Sequence, residues 1–345
     1  MRIELCSPAQ GETVALLTDG HRAMLSGRHL AEADDSLDWR SLKQKGTEKS
    51  YPQPVKFVWK TDPDEPGEQA ACLFIGTAPD LADAKKVIVP AGESQAEVYN
   101  FSAGTEYYWK VVLTGPDGTS ESPVGQFFTR DEVPTLYRVD GITNVRDIGG
   151  WHTFDGRRVK RGMLFRGSEM DTHHCLTPKG RLALKNDMGI RTDLDLREEA
   201  LGLLTRSPIG PDIRFELIPV KAYAEFMAPE NCEDCRAVFS VLADETAYPI
   251  YLHCWGGADR AGTVVLLLNG LLGVDDESLL LDYEMTLFSV WGERSRSSVL
   301  FRGLLEALDR YGEHDAPLRI KAENYLRASG VTNSQISTIR ALLTV

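Results

Sequence analysis

The sequence predicts two domains of different fold class, an all-β sandwich followed by an α/β domain. The chain has 345 residues, which is longer than one typical domain. Its first third contains short runs of β-branched and aromatic residues separated by turns, and the remainder alternates between strand-like and helix-like segments. We therefore expect a β-sandwich with an N-terminal extension over residues 1–131. After a linker, we expect residues 138–345 to form a central, mostly parallel sheet flanked by helices.

The strand signal of the first third is clear, and one polar stretch interrupts it. Gly-Pro-Asp-Gly at 115–118 follows the last of the strand-like runs and is typical of a turn. The charged stretch between residues 28 and 50 predicts a loop or a helical insertion. The predicted strands are 54–60, 70–76, 86–91 and 106–114.

The second part of the chain predicts strands and helices in alternation. Thr177 suits a helix N-cap, Pro178 suits the first turn and Gly189 suits the exit, so residues 176–190 are predicted to be helical. A last helix is predicted after Thr332, where Thr-x-x-Gln forms a capping box. The other predicted strands are 191–197, 214–220 and 248–254, and the other helices are 235–245, 261–273, 276–290, 297–312 and 319–330.

Charge and hydropathy exclude several classes of function. The formal charge of −13 argues against binding to nucleic acid or to an anionic membrane, because both favour basic surfaces. No run reaches the roughly 20 apolar residues of a spanning helix. The first residues lack a basic stretch followed by an apolar one, so the sequence as it stands predicts a cytoplasmic protein, or a periplasmic or secreted one if a signal peptide has been removed.

Six cysteines are too few for a disulfide scaffold in a chain of this size. Cys232 and Cys235 form one C-x-x-C without a second ligand pair, which favours an incidental pair over a redox or disulfide role. A second cluster has metal-ligand chemistry without a standard spacing, so we expect no metal; it contains Asp171, His173, His174 and Cys175.

The segment HCWGGADRAGT (253–263) carries the strongest chemical signal. A cysteine followed by five residues and an arginine is weak by itself. Here an apolar strand leads into Cys254, two glycines follow, and a long apolar helix starts at about Arg260. A strand, a glycine-containing loop and a helix N-terminus together form a cradle of backbone N–H groups for an anion. The predicted phosphate-binding loop contains Trp255, Gly256, Gly257 and Ala258.

Each polar residue of this loop has a chemical task in that reading. A helix N-terminus and a nearby arginine lower the pKa of a thiol, so Cys254 is predicted to be a thiolate nucleophile. Arg260 can hold two phosphate oxygens with its planar fork. His253 is expected to orient the surroundings of the cysteine, and Asp259 to protonate the departing oxygen. The alternative is a buried cysteine with an arginine on a helix surface.

Residues 138–345 resemble the bacterial tyrosine phosphatases of the cysteine-dependent phosphatase superfamily, including dual-specificity and lipid-active members. The matching segments occur in order: NVRDIGGWHTFDGRRVKRGMLFRGSEM (144–170), GIRTDLDLREE (189–199), HCWGGADRAGT and DYEMTLFS (282–289). The resemblance implies a phosphocysteine intermediate on Cys254, phosphate binding by Arg260 and Asp259 as general acid, without a metal or organic cofactor. Some branches place the acid elsewhere, which leaves as alternatives Asp195, Glu230, Glu233 and Asp234.

Two residues depart from the family pattern. Ala261 replaces the Ser or Thr whose hydroxyl stabilises the leaving thiolate, and Thr263 is the candidate to compensate. Ala258 stands where lipid- or inositol-directed relatives carry lysine. We therefore expect phosphotyrosine or dual-specificity phosphoprotein substrates, or a small phosphomonoester. The alternatives are a phosphoinositide or inositol-phosphate phosphatase and, because of Ala261, a phosphate-binding pseudophosphatase.

Several charged residues near these motifs have two interpretations. They could contact the substrate, or they could form ion pairs that brace the sheet and the loop. The second interpretation is favoured for Arg146, Asp147, Arg166 and Arg197. Arg294 and Arg296 are predicted to lie on a loop, where contact with an anionic substrate and simple solvation are equally plausible.

The N-terminal part resembles a fibronectin type III domain over about residues 50–130. Trp59 lies in the middle of a strand, as the early core tryptophan of that family does. The segment 101–129 looks like its last two strands, with Thr-Glu-Tyr-Tyr-Trp in the place of the tyrosine-corner strand. The resemblance implies a scaffold or a module that binds a protein or glycan partner.

Overall fold

The computed structural model describes residues 2–27, 38–62, 70–115 and 118–345. The chain forms two compact units, one from residues 1–18 and 52–132 and the other from residues 19–51 and 133–345. This division differs from the predicted one, in which all of residues 1–131 belong to the first domain. The segment 19–51, here called the strap, packs with the second unit instead.

The first unit is a sandwich of two sheets with a common core. One sheet has the order β1-β3-β6, and the other has the order β2-β9-β7-β4-β5 with β8 on β7. Phe57 of the first sheet contacts Trp109 of the second, with ring centroids 4.9 Å apart. The strands are β1 Arg2–Ser7, β2 Glu12–Val14, β3 Val55–Asp62, β4 Ala70–Gly76, β5 Lys85–Val89, β6 Gln95–Val98, β7 Glu106–Gly115, β8 Gly118–Glu121 and β9 Gly125–Thr129. The four predicted strands are confirmed.

The second unit is built on a five-stranded sheet of order β10-β11-β14-β12-β13. Only β10 runs antiparallel to its neighbour, so the prediction of a mostly parallel sheet is confirmed. β14 is central and buried at every position, so its carboxyl end places the following loop in the middle of the sheet edge. The strands are β10 Arg146–Asp147, β11 Leu164–Gly167, β12 Thr192–Asp195, β13 Arg214–Leu217 and β14 Ile250–His253.

Helices cover the sheet, and their termini follow the sequence signals closely. Thr332 and Gln335 form the predicted capping box. The predicted helix 176–190 is α-helical only in its first part and continues as a π-helical turn, Ala183–Asp187. The helices are α1 Asp19–Leu25, α2 Trp39–Lys43, α3 Pro178–Leu182, α4 Tyr223–Phe226, α5 Cys232–Leu242, α6 Arg260–Leu272, α7 Asp276–Glu284, α8 Val299–Leu308, α9 Leu318–Ala328 and α10 Asn333–Leu343.

The strap lies against the chain that follows α7. Lys49 donates its backbone N–H to the carbonyl of Phe288 at 2.6 Å, and Gly46 donates to Val290 at 2.7 Å. The buried ring of His21 packs edge-on against Phe288, with centroids 4.4 Å apart. Of the polar stretch predicted as a loop or helical insertion, residues 28–37 lie outside the described residues, and α2 is helical. The strap therefore supports a segment that is distant in sequence.

Candidate active site

The loop between β14 and α6 takes a path that only glycine allows. Gly257 has φ +62°, and a Cβ there would lie 2.1 Å from the carbonyl oxygen of Gly167. A Cβ on Gly256 would lie 3.0 Å from the ring of Trp291. The loop is thus pressed between the end of β11 and an aromatic side chain, which fixes its curvature.

Every carbonyl from 255 to 258 accepts a hydrogen bond from outside the loop. The donors belong to three buried residues outside the loop, so the carbonyls are turned outward. Trp255 accepts from the backbone of Glu169 at 3.0 Å, Gly256 from Asn144 Nδ2 at 2.9 Å, Gly257 from Arg166 Nη2 at 2.7 Å, and Ala258 from Arg166 Nη2 at 3.1 Å.

The backbone N–H groups of 255–260 are left for another partner. Within the described ranges of the chain, no protein group accepts a hydrogen bond from them. They follow Cys254 in the chain and lead into α6, a helix of 13 residues whose dipole adds positive potential at its N-terminus. Such an arrangement can accept an anion, and the phosphate-binding role of the loop stays a prediction.

A buried ion-pair network holds the cradle from behind. Asp282 of α7 accepts from Arg166 at 2.6 Å and from Arg146 at 2.9 Å. Arg146 also donates to Asn144 Oδ1 at 2.6 Å. Burial raises the pKa of Asp282, but the two arginines outweigh it and hold the pKa below its ordinary value. Arg146 and Arg166 therefore brace the loop, in agreement with the favoured interpretation.

Arg260 and Glu199 form a bidentate ion pair at the mouth of the cradle. Both guanidinium Nη atoms donate to the Glu199 carboxylate at 2.8 Å. This pair raises the pKa of Arg260 and lowers that of Glu199. The carboxylate fixes the plane of the guanidinium beside Cys254, the residue predicted as nucleophile, which is itself buried.

Asp259 is held at the lip of the cradle by two neighbours. Arg294 donates from Nε to Oδ1 at 2.7 Å and from Nη2 to Oδ2 at 3.2 Å. The hydroxyl of Tyr223 donates to Oδ1 and is linked to the Tyr283 hydroxyl at 2.7 Å. Burial raises the pKa of Asp259, but the bonds from Arg294 and Tyr223 outweigh it, so the pKa is lower than usual.

His253 is buried below the loop and is oriented by carboxylates. Its Nε2 lies 2.9 Å from Asp193, and its Nδ1 lies 3.8 Å from Asp195. Burial alone lowers the pKa of this imidazole, but the two carboxylates outweigh it and raise the pKa. Carboxylates thus fix the side chain of the residue that precedes Cys254.

The structure engages two other predicted residues, Thr263 and Asp195, in structural contacts. The Thr263 hydroxyl donates to the Asp259 carbonyl at 2.9 Å and accepts from the Tyr223 backbone at 2.9 Å, so its proton is not directed at Cys254. Asp195 is fully buried and pairs with Arg197 at 2.7 Å, which leaves it no access to solvent. Both are structural residues in this geometry, since each satisfies a buried partner.

The remaining candidates either make structural contacts or lie away from the cleft. Asp147 accepts from two backbone N–H groups, and burial raises its pKa to about 6. Arg296 pairs with Glu277 and Glu284 rather than facing the lip. The acids at the start of α5 do not line the cleft described below; they are Glu230, Glu233 and Asp234.

In the two predicted cysteine and histidine clusters, the cysteine pair forms no disulfide, and Asp171 and His173 contact neighbouring side chains. Cys232 and Cys235 are both free thiols. Asp171 pairs with Arg197 at 2.8 Å, and His173 lies on the Trp255 ring with centroids 4.5 Å apart. Among the described residues, no group of three or more potential ligands is arranged to hold a metal ion.

Four residues of the site escaped the sequence reasoning as functional candidates: Glu199, Tyr223, Asn144 and Asp282. Asn144 and Asp282 stand inside the motif segments, at 144–170 and 282–289, so their position was a usable signal. Glu199 likewise ends the motif segment 189–199, although only the folded chain shows that it meets Arg260. Tyr223 lies outside every motif segment, and only the folded chain brings it to Asp259.

A cleft of about 680 Å³ opens beside the cradle. Asp259, Arg260 and Arg294 lie on its polar side, and Val299 and Leu300 form an exposed apolar lip. The cleft gives a substrate access to the lip residues of the loop. In the part of the chain that the structure describes, no helix has the length and apolar character needed to cross a bilayer.

A cysteine at the base of an N–H cradle, followed by an arginine on a helix N-terminus, defines a cysteine-dependent phosphatase type of site. Residues 137–345 match the tyrosine phosphatase family, and the protein belongs to that family.

Two individual proteins are similar to parts of the chain. A Cupriavidus necator protein named "Putative tyrosine-protein phosphatase H16_A0669" is 26% identical over 171 residues, which are 42% of this chain and 60% of that protein. The chain thus spans less than two thirds of that relative's length. The core catalytic domain of the PP-IP phosphatase SIW14 from S. cerevisiae, solved with citrate, matches 41% of this chain and 78% of its own at 14% identity, with a TM-score of 0.29.

Proposed function

We propose that the protein is a phosphomonoester hydrolase that acts through a phosphocysteine intermediate on Cys254. The observation that carries the proposal is the set of outward-bonded carbonyls from 255 to 258, which leaves the loop N–H groups around the thiol for an anion. A phosphoryl group in this cradle meets N–H donors, a helix N-terminus and Arg260, which together offset its negative charge.

The chemistry follows in two steps. The Cys254 thiolate attacks phosphorus, so an S–P bond forms while the P–O bond to the leaving group breaks. Asp259 gives its proton to the departing oxygen. A water molecule then attacks the phosphocysteine, Asp259 takes a proton from that water, and the S–P bond breaks to release inorganic phosphate and the thiolate.

We propose phosphotyrosine, or a dual-specificity phosphoprotein, as the substrate class. Ala258 is buried and adds no positive charge to the loop, so a multiply charged headgroup gains little there. Trp255 and the His173 ring against it provide an aromatic surface beside the cradle, which suits an aryl phosphate. Preference for inositol phosphates or phosphoinositides over phosphotyrosyl peptides in a substrate panel would reverse this assignment.

We also propose that the first unit is a fibronectin type III-like domain that binds a protein or glycan partner. Trp59 is buried at the centre of β3. The Tyr107 hydroxyl accepts a hydrogen bond from the backbone of Ser102 at 3.0 Å, a contact like that of a tyrosine corner. Both features lie in the strands that carry the sequence resemblance.

The test of the catalytic proposal is turnover of p-nitrophenyl phosphate by the wild-type protein and by Cys254→Ser. We expect hydrolysis by the wild type and a loss of at least about 1,000-fold in the variant, because a serine hydroxyl is not ionised at neutral pH. Equal rates would refute the nucleophile. A wild-type protein that binds phosphate without turnover would instead be a phosphate-binding pseudophosphatase.

A further inference from the structure

The resting geometry of Asp259 conflicts with the task of a general acid. Both carboxylate oxygens accept hydrogen bonds from Arg294, and Oδ1 also accepts from Tyr223. A carboxyl group held in this way is ionised at neutral pH, whereas a proton donor must be protonated when the leaving oxygen departs. Something must therefore release the carboxylate once the substrate is present.

In the described part of the chain, the other arginines near Asp259 do not donate hydrogen bonds to it. Arg166, on β11, lowers the pKa of Asp259 from a distance, and its own hydrogen bonds go to Asp282 and the loop carbonyls. The neighbouring Arg260 is bonded to Glu199. Among the described residues, Arg294 is the cation that donates hydrogen bonds to Asp259. The remaining titratable groups near this lip are Cys254, Tyr223, Tyr283, Glu225 and Glu293.

Arg294 has few other bonds to lose. Within the residues that the structure describes, its guanidinium donates, apart from Asp259, to carbonyls of its own turn, those of Glu293 at 3.1 Å and Trp291 at 3.4 Å. It lines the same cleft as Asp259 and Arg260, so both guanidinium groups border the space beside the loop. Among the described residues, Asp259 is the carboxylate paired with Arg294, so a turn of Arg294 toward an anion breaks that ion pair alone.

We propose that Arg294 couples substrate binding to the protonation of Asp259, by holding the carboxylate ionised in the free enzyme and moving to a phosphate oxygen when the phosphoryl group enters the cradle. The inference rests on the proposed phosphatase function and makes Arg294 a positioning residue for it. The substrate monoanion, whose second pKa is about 6, gives its proton to Asp259. Asp259 then gives that proton to the leaving oxygen as the S–P bond forms and the P–O bond breaks.

The test compares two pH profiles of p-nitrophenyl phosphate hydrolysis. The profile of kcat/KM reports the free enzyme, and the profile of kcat reports the enzyme with substrate bound. Arg294→Gln removes the charge and keeps a polar side chain, and Arg294→Lys restores the charge. Arg296→Gln is the matched control, because Arg296 lies on the same turn and pairs with Glu277 and Glu284.

In Arg294→Gln, Asp259 remains protonated to higher pH in the free enzyme. Because the substrate monoanion brings the proton, the ionisation of Asp259 in the free enzyme sets the acid limb of kcat/KM, which is therefore expected to move up by about one to three pH units, the usual effect of a neighbouring arginine. The acid limb of kcat stays in place, because Arg294 has already left Asp259 in the complex. Arg294→Lys is expected to return the kcat/KM limb most of the way to its wild-type position, and Arg296→Gln to leave the limb unchanged.

Two outcomes overturn the inference while the wild type is active. Equal displacement of the kcat/KM limb and the kcat limb in Arg294→Gln means that Arg294 stays on Asp259 in the complex. No displacement of either limb means that Arg294 does not govern the protonation of Asp259. A wild-type protein without activity refutes the proposed function itself. Thermal unfolding of each variant separates these results from a loss of folding.

Discussion

Replacement of Arg166 by methionine is expected to destabilise the second unit and to disorder the cradle. The side chain is fully buried and connects three points: it donates to Asp282 at 2.6 Å and to the carbonyls of Gly257 and Ala258 at 2.7 and 3.1 Å. Methionine fills a similar volume without donating any of these bonds. The variant therefore isolates the polar contribution of the side chain.

The magnitude follows from the partners that remain. Loss of one partner of a buried ion pair costs about 3–5 kcal/mol, and the low end applies because Asp282 keeps its bond from Arg146 at 2.9 Å. The Gly257 carbonyl loses its donor, which adds about 1–3 kcal/mol. The Ala258 carbonyl retains a bond from the backbone of Gly262 at 2.9 Å, so it adds little. With the low end of both ranges, the sum is roughly 4 kcal/mol.

Thermal unfolding followed by calorimetry measures this loss. For a unit of this size, about 4 kcal/mol corresponds to a fall in Tm of roughly 8–16 °C in the transition of the second unit. Binding of orthovanadate, a phosphate analogue, should weaken in parallel. Arg214→Met is the control, because Arg214 is half-exposed and its ion pairs with Glu216 and Asp244 lie on the surface. A fall of less than about 3 °C in Arg166→Met would refute the bracing role.

Two further predictions concern the loop glycine and the strap. Gly257→Ala should lower the free energy of unfolding by roughly 2–5 kcal/mol and abolish vanadate binding, because its Cβ overlaps the Gly167 carbonyl. The control is Gly202→Ala, which has a similar φ of +73° with open space around it and should lose only about 1–2 kcal/mol. Equal losses in the two variants would contradict the clash. Burial lowers the pKa of His21 in the strap to about 4. Between about pH 6.5 and 4 the unfolded state therefore binds more protons than the folded state. The free energy of unfolding should fall by about 3 kcal/mol as the pH falls through that range. Urea titrations of His21→Gln should lack this loss, whereas His314→Gln, at an exposed site, should retain it.

The strand and helix on either side of the cradle loop were predictable because their signals are local. The apolar run before Cys254 predicts a buried strand, and the structure has β14 at Ile250–His253. The long apolar run after the loop predicts a buried helix, and α6 is Arg260–Leu272. Periodicity, glycines and caps are encoded within a few residues of the element that they form.

The contacts that decide the behaviour of the site were not predictable in the same way. Arg294 reaches Asp259 across 35 positions of sequence, and nothing near either residue specifies that pairing. Thr263 was expected to serve the thiolate by its proximity in sequence, yet one helical turn directs its hydroxyl back to the Asp259 carbonyl. The direction of a side chain on a helix depends on its place in the turn. Nearness in sequence to the loop therefore does not bring the Thr263 hydroxyl to Cys254.

The strap has a consequence for any attempt to divide the protein into modules. A gene fragment that starts after the sandwich, at residue 133, would carry the cradle but leave residues 19–51 behind. The Phe288 ring would lose its cover from His21, and Asn144 would lose the hydroxyl of Ser50 that accepts its backbone N–H at 3.0 Å. Since Asn144 also bonds the Gly256 carbonyl, excision would weaken the active loop from a position far outside the apparent catalytic domain. The two halves of this chain are interleaved in sequence and are best expressed as one.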